Sequence, residues 1–136
     1  LVVISNQGTV ARGGATLDLV RAVNDRVRAL LTDPSTRGGE SLIHAVYFCP
    51  YHPNGVVPEF TREHSWRKPA PGMLLAAAQE HQLDLSKSWL VGDAPRDVEA
   101  GKAAGLPPKK CLLIGTGAPF ADLAAAAEFI CSYPID

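Results

Sequence analysis

The sequence predicts an α/β fold, a doubly wound parallel sheet with helices on both faces in a three-layer α/β/α sandwich. Three observations point there. Short apolar runs such as Leu1-Val2-Val3-Ile4 do not alternate with polar residues, as expected of strands buried on both faces. Segments of helical periodicity separate those runs, and no internal repeat or second domain interrupts the βα order. The length of 136 residues, 46% hydrophobic and 20% charged, suits one soluble domain spanning residues 1–136.

Ser5-Asn6-Gln7-Gly8 ends the first strand. From Thr16 to Leu31 an apolar stripe of Val20, Val23, Val27, Leu30 and Leu31 marks an amphipathic helix, with Arg21, Asp25, Arg26 and Arg28 mostly off it. Asp33-Pro34 stops that helix, Arg37-Gly38-Gly39 is a loop, and Leu42 to Phe48 reads as a second strand. Prolines 50, 53, 58, 69 and 71 together with Asn54-Gly55 make residues 49–70 an irregular loop. Pro71 opens a helix running to about Gln82. Ser88 to Val91 is a third strand ended by Gly92-Asp93, and Asp97 to Ala104 is a helix with Gly105 at its C-terminus. Cys111 to Ile114 is a fourth strand, a last helix covers about Pro119 to Ala127, and Phe129-Ile130-Cys131 is expected as an edge strand.

A formal charge of −1 and the lack of a basic block exclude an electrostatic nucleic-acid surface. No apolar run is long enough to cross a bilayer, no basic residue precedes Leu1-Val2-Val3-Ile4 as a secretory signal would require, and the cytoplasm is expected. Cys49, Cys111 and Cys131 are odd in number and widely spaced, which predicts reduced thiols, with Cys111 and Cys131 in core packing. His44 and His81 have no partner at catalytic spacing.

Right-handed crossovers place the C-terminal ends of parallel strands on one edge of the sheet, where such folds bind ligands. The residues expected there are Ser5-Asn6, Arg67-Lys68 and Gly92-Asp93. A hydroxyl with neighbouring N–H groups donates to phosphate oxygens, a lysine neutralises charge on a transferring phosphoryl group, and an aspartate holds magnesium. Taken singly, each is more often a turn, a solvated surface pair or a helix cap than a functional group, and it is their order along a βαβ pattern that points to function.

Four stretches in order carry a family resemblance. They are Val2-Val3-Ile4-Ser5-Asn6-Gln7-Gly8-Thr9-Val10-Ala11-Arg12-Gly13, Phe48-Cys49-Pro50-Tyr51-His52-Pro53-Asn54-Gly55, Arg67-Lys68-Pro69-Ala70-Pro71-Gly72-Met73, and Leu90-Val91-Gly92-Asp93-Ala94-Pro95-Arg96-Asp97-Val98-Glu99-Ala100-Gly101. Together they resemble haloacid-dehalogenase (HAD) phosphatases of subfamily IIIA, of the heptose-bisphosphate and histidinol-phosphate types, over residues 1–117. The resemblance implies a HAD-like (Rossmannoid) sandwich and a magnesium-dependent phosphomonoesterase. It implies that Ser5 and Asn6 bind phosphate, Lys68 steadies it, Arg67 contacts substrate or phosphate, and Asp93 helps hold magnesium. Asp97 is either a supporting group behind the metal or a helix cap, and Arg12 either reaches a second phosphate or lies on the surface.

Three departures qualify it. The family begins with a central strand ending in Asp-x-Asp, the nucleophile and the general acid-base, and residues 1–136 contain no Asp-x-Asp. An N-terminal truncation that removes this strand is therefore expected, leaving the 136-residue chain alone unstable and inactive. The heptose-type enzymes hold a structural zinc in their long loop. Here the four ligand positions read Cys49, Tyr51, His64 and Trp66, with His52 nearby. Zinc is not expected from Cys49, His52 and His64, and packing of Tyr51, Phe60 and Trp66 is expected to hold the loop instead. Ala94 stands where relatives often have lysine.

The expected activity is hydrolysis of a small phosphorylated metabolite, D-glycero-D-manno-heptose 1,7-bisphosphate first and histidinol phosphate as the enzymatic alternative. A non-catalytic remnant binding phosphate or a partner is the alternative of another class. Neither a nucleic-acid nor a membrane partner is expected, and the protein is expected to be a monomer. The Gly8 to Gly14 stretch lacks the spacings of nucleotide-binding glycine loops.

Overall fold

The β-branched run near the start of the chain forms β1 (Val2–Asn6) in the computed structural model, which describes residues 1–134. The chain divides into two units, Leu1–Arg67 and Lys68–Asp136.

In the first unit β1 pairs in parallel with β2 (Ala45–Cys49), in a register that sets Ser5 opposite Phe48 and Asn6 opposite Cys49. Both strands thus end at one edge, and their two loops leave side by side. The N–H of Gln7 donates to the Cys49 carbonyl at 2.8 Å, extending the ladder one step past β1. Between the strands lies α1 (Leu17–Leu30), whose N-cap Thr16 accepts from the N–H of Leu19. Val20 of its apolar stripe is buried, whereas Val23, Val27 and Leu30 and the following Leu31 are exposed. The periodicity correctly marks a helix, but nothing among the described residues covers the outer part of that stripe. The core of this unit includes Val10, Ala11, Val20, Ile43, Tyr47 and Cys49.

The loop after β2 contains one 3-10 turn at Pro58–Phe60 and is otherwise irregular, as its prolines predict. It is anchored by backbone bonds, because the N–H groups of Val56 and Val57 both donate to the Ala11 carbonyl, at 2.8 and 3.0 Å. Gly55 sits against this anchor, where an added Cβ would lie 2.7 Å from the Ala11 carbonyl oxygen.

In the second unit α2 (Gly72–His81) follows Pro71, and β3 (Leu90–Gly92) pairs in parallel with β4 (Cys111–Leu113). The connection is α3 (Pro95–Ala103), which begins two residues before the predicted Asp97 because Pro95 is preset for a first helical turn. Gly105 follows it at φ +98°, the left-handed conformation that ends helices at little cost only in glycine. Close packing of α3 needs Gly101, where an added Cβ would lie 2.9 Å from the Cys111 sulfur. Met73, Ala77, Leu90, Ala100, Leu106, Cys111 and Leu112 form much of this core.

Phe129-Ile130-Cys131 is not an edge strand. These residues lie in α4 (Leu123–Ser132), capped by Asp122, whose side chain accepts from the N–H of Ala125 at 2.9 Å. A short apolar run has no period of its own to separate strand from helix. Here the alanines before it and the cap decide, and the Phe129 ring packs edge-on to Trp89 at 5.9 Å. Cys131 is exposed, not in the core as expected, while Cys49 and Cys111 are buried. No helix among the described residues is long and apolar enough to cross a membrane.

The start of α3 is organised by Asp97. Its carboxylate accepts the N–H of Ala94 at 3.0 Å and meets the Lys68 ammonium at 2.7 Å, with both side chains nearly buried. The Lys68–Pro69 peptide is cis. Burial alone would raise the Asp97 pKa, but the hydrogen bond and charge of Lys68, helped by the Ala94 N–H, outweigh it and hold the carboxyl below its ordinary 3.8. A depressed folded pKa stabilises the fold above the unfolded value, and that stabilisation disappears as pH falls through the folded value. The wild type is therefore expected to lose stability below about pH 4 through this group, whereas Asp97→Asn lacks this part of the acid limb and is about 3 kcal/mol less stable at neutral pH; urea unfolding at pH 3 and pH 7 measures both. A second expectation concerns Gly92, where an added Cβ would collide with the Cβ of Asp97. Gly92→Ala should destabilise by about 1–3 kcal/mol in thermal unfolding, by forcing Asp97 off its partners.

Candidate functional site

Among the expected residues of the first unit, Ser5 and Asn6 are the last two residues of β1 and are half-buried. The Ser5 hydroxyl accepts from the Gln7 amide at 2.9 Å, which turns it toward the loop after β1. That loop coils back on itself. The Arg12 N–H donates to the Gly8 carbonyl at 3.1 Å, bringing the exposed Arg12 side chain back over Gly8. A Cβ added at Gly8 would lie 3.4 Å from Nη1 of both Arg12 and Arg67 and 3.1 Å from the His52 ring.

Two guanidiniums and an imidazole therefore surround one residue of the loop that follows Ser5-Asn6, and neither arginine is ion-paired among the described residues. Burial, then the charges of Arg67 and Arg12, lower the His52 pKa and favour the neutral ring, against a weaker opposing pull from Glu63. Nδ1 of that ring accepts from the N–H of Asn54 at 3.0 Å. Arg67 is fixed at both ends, its N–H donating to the His64 carbonyl at 2.9 Å and its Nη1 to the Tyr51 carbonyl at 3.5 Å.

The grouping of Arg12 and His52 with Arg67 is absent from the sequence reading, which placed Arg12 on the surface or at a second phosphate and His52 among zinc candidates. Its trace in the sequence is Gly8 four residues before Arg12, the spacing of one coiled turn.

The zinc candidates do not converge. Cys49 is buried, its thiol 3.9 Å from the Tyr51 carbonyl, and burial pushes its pKa up. His64 lies flat against Tyr51, and His52 sits with the two arginines. Among the described residues there is no group of three or more His, Cys, Asp or Glu side chains placed to hold a metal ion.

In the second unit Asp93 follows Gly92 directly, on the bend between β3 and α3. It is exposed, and its carboxylate makes no hydrogen bond or ion pair among the described residues. One free carboxylate fits a magnesium ion, which takes oxygen ligands and keeps several waters. Lys68 and Asp97 are brought together as the buried pair described above, with Asp97 capping α3. A lysine held this way has its ammonium group fixed in position.

Comparison with known proteins gives this arrangement a family. A family profile described as HAD-hydrolase-like matches residues 65–131. The D-glycero-beta-D-manno-heptose-1,7-bisphosphate 7-phosphatase of Yersinia pestis is 38% identical, over 96% of this chain and 66% of its own length. The D-glycero-D-manno-heptose-1,7-bisphosphate 7-phosphatase of Thermosynechococcus vestitus is 36% identical, over 95% of this chain and 72% of its own. The crystal structure of D,D-heptose 1,7-bisphosphate phosphatase from B. bronchiseptica, complexed with magnesium and phosphate, superposes with a TM-score of 0.74 at 29% identity. It covers 96% of this chain and 73% of that one. The chain thus spans less than two thirds of the length of most of the relatives it matches, 61% and 66% of two of them. The ordered motifs, the parallel α/β pairs and these likenesses agree, and the chain belongs to the HAD-like phosphatase family, with a HAD-like α/β fold.

Proposed function

We propose that the protein is a magnesium-dependent phosphomonoester hydrolase acting on D-glycero-D-manno-heptose 1,7-bisphosphate, and that residues 1–134 supply its phosphate-binding and metal-binding groups. The observation that carries this reading is the buried Lys68–Asp97 pair, which fixes an ammonium on the loop before α2 while Asp93, at the end of β3, has a carboxylate unpaired among the described residues. A structural salt bridge has no need of the neighbouring free carboxylate; a phosphotransfer site uses both.

Each residue then has a task. The Ser5 hydroxyl and the Asn6 amide donate to phosphate oxygens, and Lys68 offsets the charge that develops as the phosphoryl group transfers. Asp93 is an oxygen ligand for magnesium, which supplies further charge neutralisation when bound. An attacking carboxylate would form an acyl phosphate as the sugar oxygen leaves and takes up a proton, and water would then release inorganic phosphate. Since residues 1–136 hold no Asp-x-Asp, the reading assigns that carboxylate to chain outside them.

The guanidiniums of Arg12 and Arg67 favour a bisphosphate over histidinol phosphate, because they offer a second anion-binding group that a monophosphate would leave unused. The relatives named above act on heptose 1,7-bisphosphate as 7-phosphatases by their names, and the C7 phosphate is accordingly the one proposed to be transferred here.

Measured on the full-length protein as phosphate release from heptose bisphosphate, Lys68→Ala should lower kcat about 10²–10³-fold. Asp93→Asn should raise the half-saturating magnesium concentration at least about tenfold, with thermal stability near wild type since Asp93 is exposed and unpaired. Wild-type kcat in the first variant, or an unchanged magnesium requirement in the second, would count against the proposal.

A further inference from the structure

The rings at and around the loop positions where the family resemblance implies zinc ligands pack as a continuous series. Tyr51 and His64 stack with centroids 4.5 Å apart and planes 16° from parallel. The Arg62 guanidinium lies over the Tyr51 ring, 4.2 Å from its centroid, and Phe60 packs beside Tyr51 at 5.9 Å. Trp66 meets His64 edge-on at 6.2 Å and Tyr47 at 5.8 Å, tying the series to β2.

These contacts engage part of the set that a metal would need. The N–H of Trp66 donates to Nδ1 of His64 at 3.1 Å, so that nitrogen is occupied as an acceptor. Tyr51 and Trp66 bring no nitrogen or sulfur ligand, and the Cys49 thiol is buried beside the Tyr51 carbonyl. A closed structural zinc site takes four nitrogen or sulfur ligands, and this loop does not assemble them.

The stacked residues also hold Arg67. The carbonyl of Tyr51 accepts from its guanidinium and the carbonyl of His64 from its N–H, so the two ring-bearing residues that face each other are the two that fix this arginine. We infer that a cation–aromatic stack of Arg62, Tyr51, His64 and Trp66 closes this loop in place of a metal, and that Tyr51 and His64 are positioning residues for the Arg67 guanidinium. The link to substrate rests on the reading given under Proposed function, whereas the metal-free closure does not. Stacking of this kind is worth enough to order a loop when several rings share it, since each pair adds to the area buried.

The test uses the full-length protein and its Tyr51→Phe, Tyr51→Leu and Tyr51→Ala variants. Purified without added metal, the wild type should contain well under one zinc per chain by elemental analysis, and a zinc chelator should leave its melting temperature unchanged. One zinc per chain, or a melt lowered by the chelator, overturns the metal-free closure. Tyr51→Phe keeps the ring and should match the wild type, while Tyr51→Leu and Tyr51→Ala should raise KM for heptose bisphosphate about tenfold with kcat changed less than about twofold. Tyr51→Leu retains apolar bulk and carries the comparison if Tyr51→Ala does not fold. Isothermal titration with inorganic phosphate gives the same comparison without turnover. A Kd about tenfold weaker in the leucine variant and unchanged in the phenylalanine variant supports positioning even if heptose bisphosphate is not the substrate. Equal KM and equal Kd across all folded variants overturn it.

Discussion

Parallel pairing of strands in matched register is the constraint on which the functional arrangement depends. Because Asn6 is opposite Cys49 and Gly92 opposite Leu113, the strands of each pair end together, and the loops that follow leave from one edge of that pair. Those loops carry nearly all the chemistry. In the first unit they bring Arg12, His52 and Arg67 around Gly8, although these residues come from three separate stretches of chain. In the second they leave Asp93 exposed where β3 stops.

Charge is managed differently in the two units. Lys68 and Asp97 are buried together, and such a pair contributes little net stability compared with an apolar one, although losing either partner is costly. Its value lies in direction, since the same carboxylate starts α3 through Ala94 and holds the ammonium of the loop before α2. Arg12 and Arg67, by contrast, have no carboxylate partner among the described residues. Cations held near one another unpaired repel, and an anion between them would relieve that repulsion.

Much of this was legible from residue order. The β-branched run of β1, the Thr16 cap and period of α1, the Pro71 start of α2 and Gly105 after α3 all carry local signals that the fold obeys. What failed depended on a competing local signal or on contacts between distant residues. Phe129-Ile130-Cys131 is helical because Asp122 caps the helix and the alanines before these residues favour it. The outer stripe of α1 stayed exposed, and no periodicity can tell whether a covering surface exists. Tyr51, Phe60 and Trp66 could be named as the packing of the long loop. Arg62 over Tyr51 and Tyr47 against Trp66 could not, because nothing in their spacing announces a stack. Asp97 showed its capping role by position, while its pairing with Lys68 is visible only in three dimensions.

The account stands or falls on which bond is broken. Phosphorus NMR of D-glycero-D-manno-heptose 1,7-bisphosphate incubated with the full-length protein, with magnesium and then with the metal chelated, reads this directly. The account predicts that with magnesium the C7 phosphate signal is replaced by inorganic phosphate while the C1 signal persists, and that nothing changes once the metal is removed. Loss of the C1 phosphate first, or two undiminished ester signals in the presence of magnesium, would contradict it.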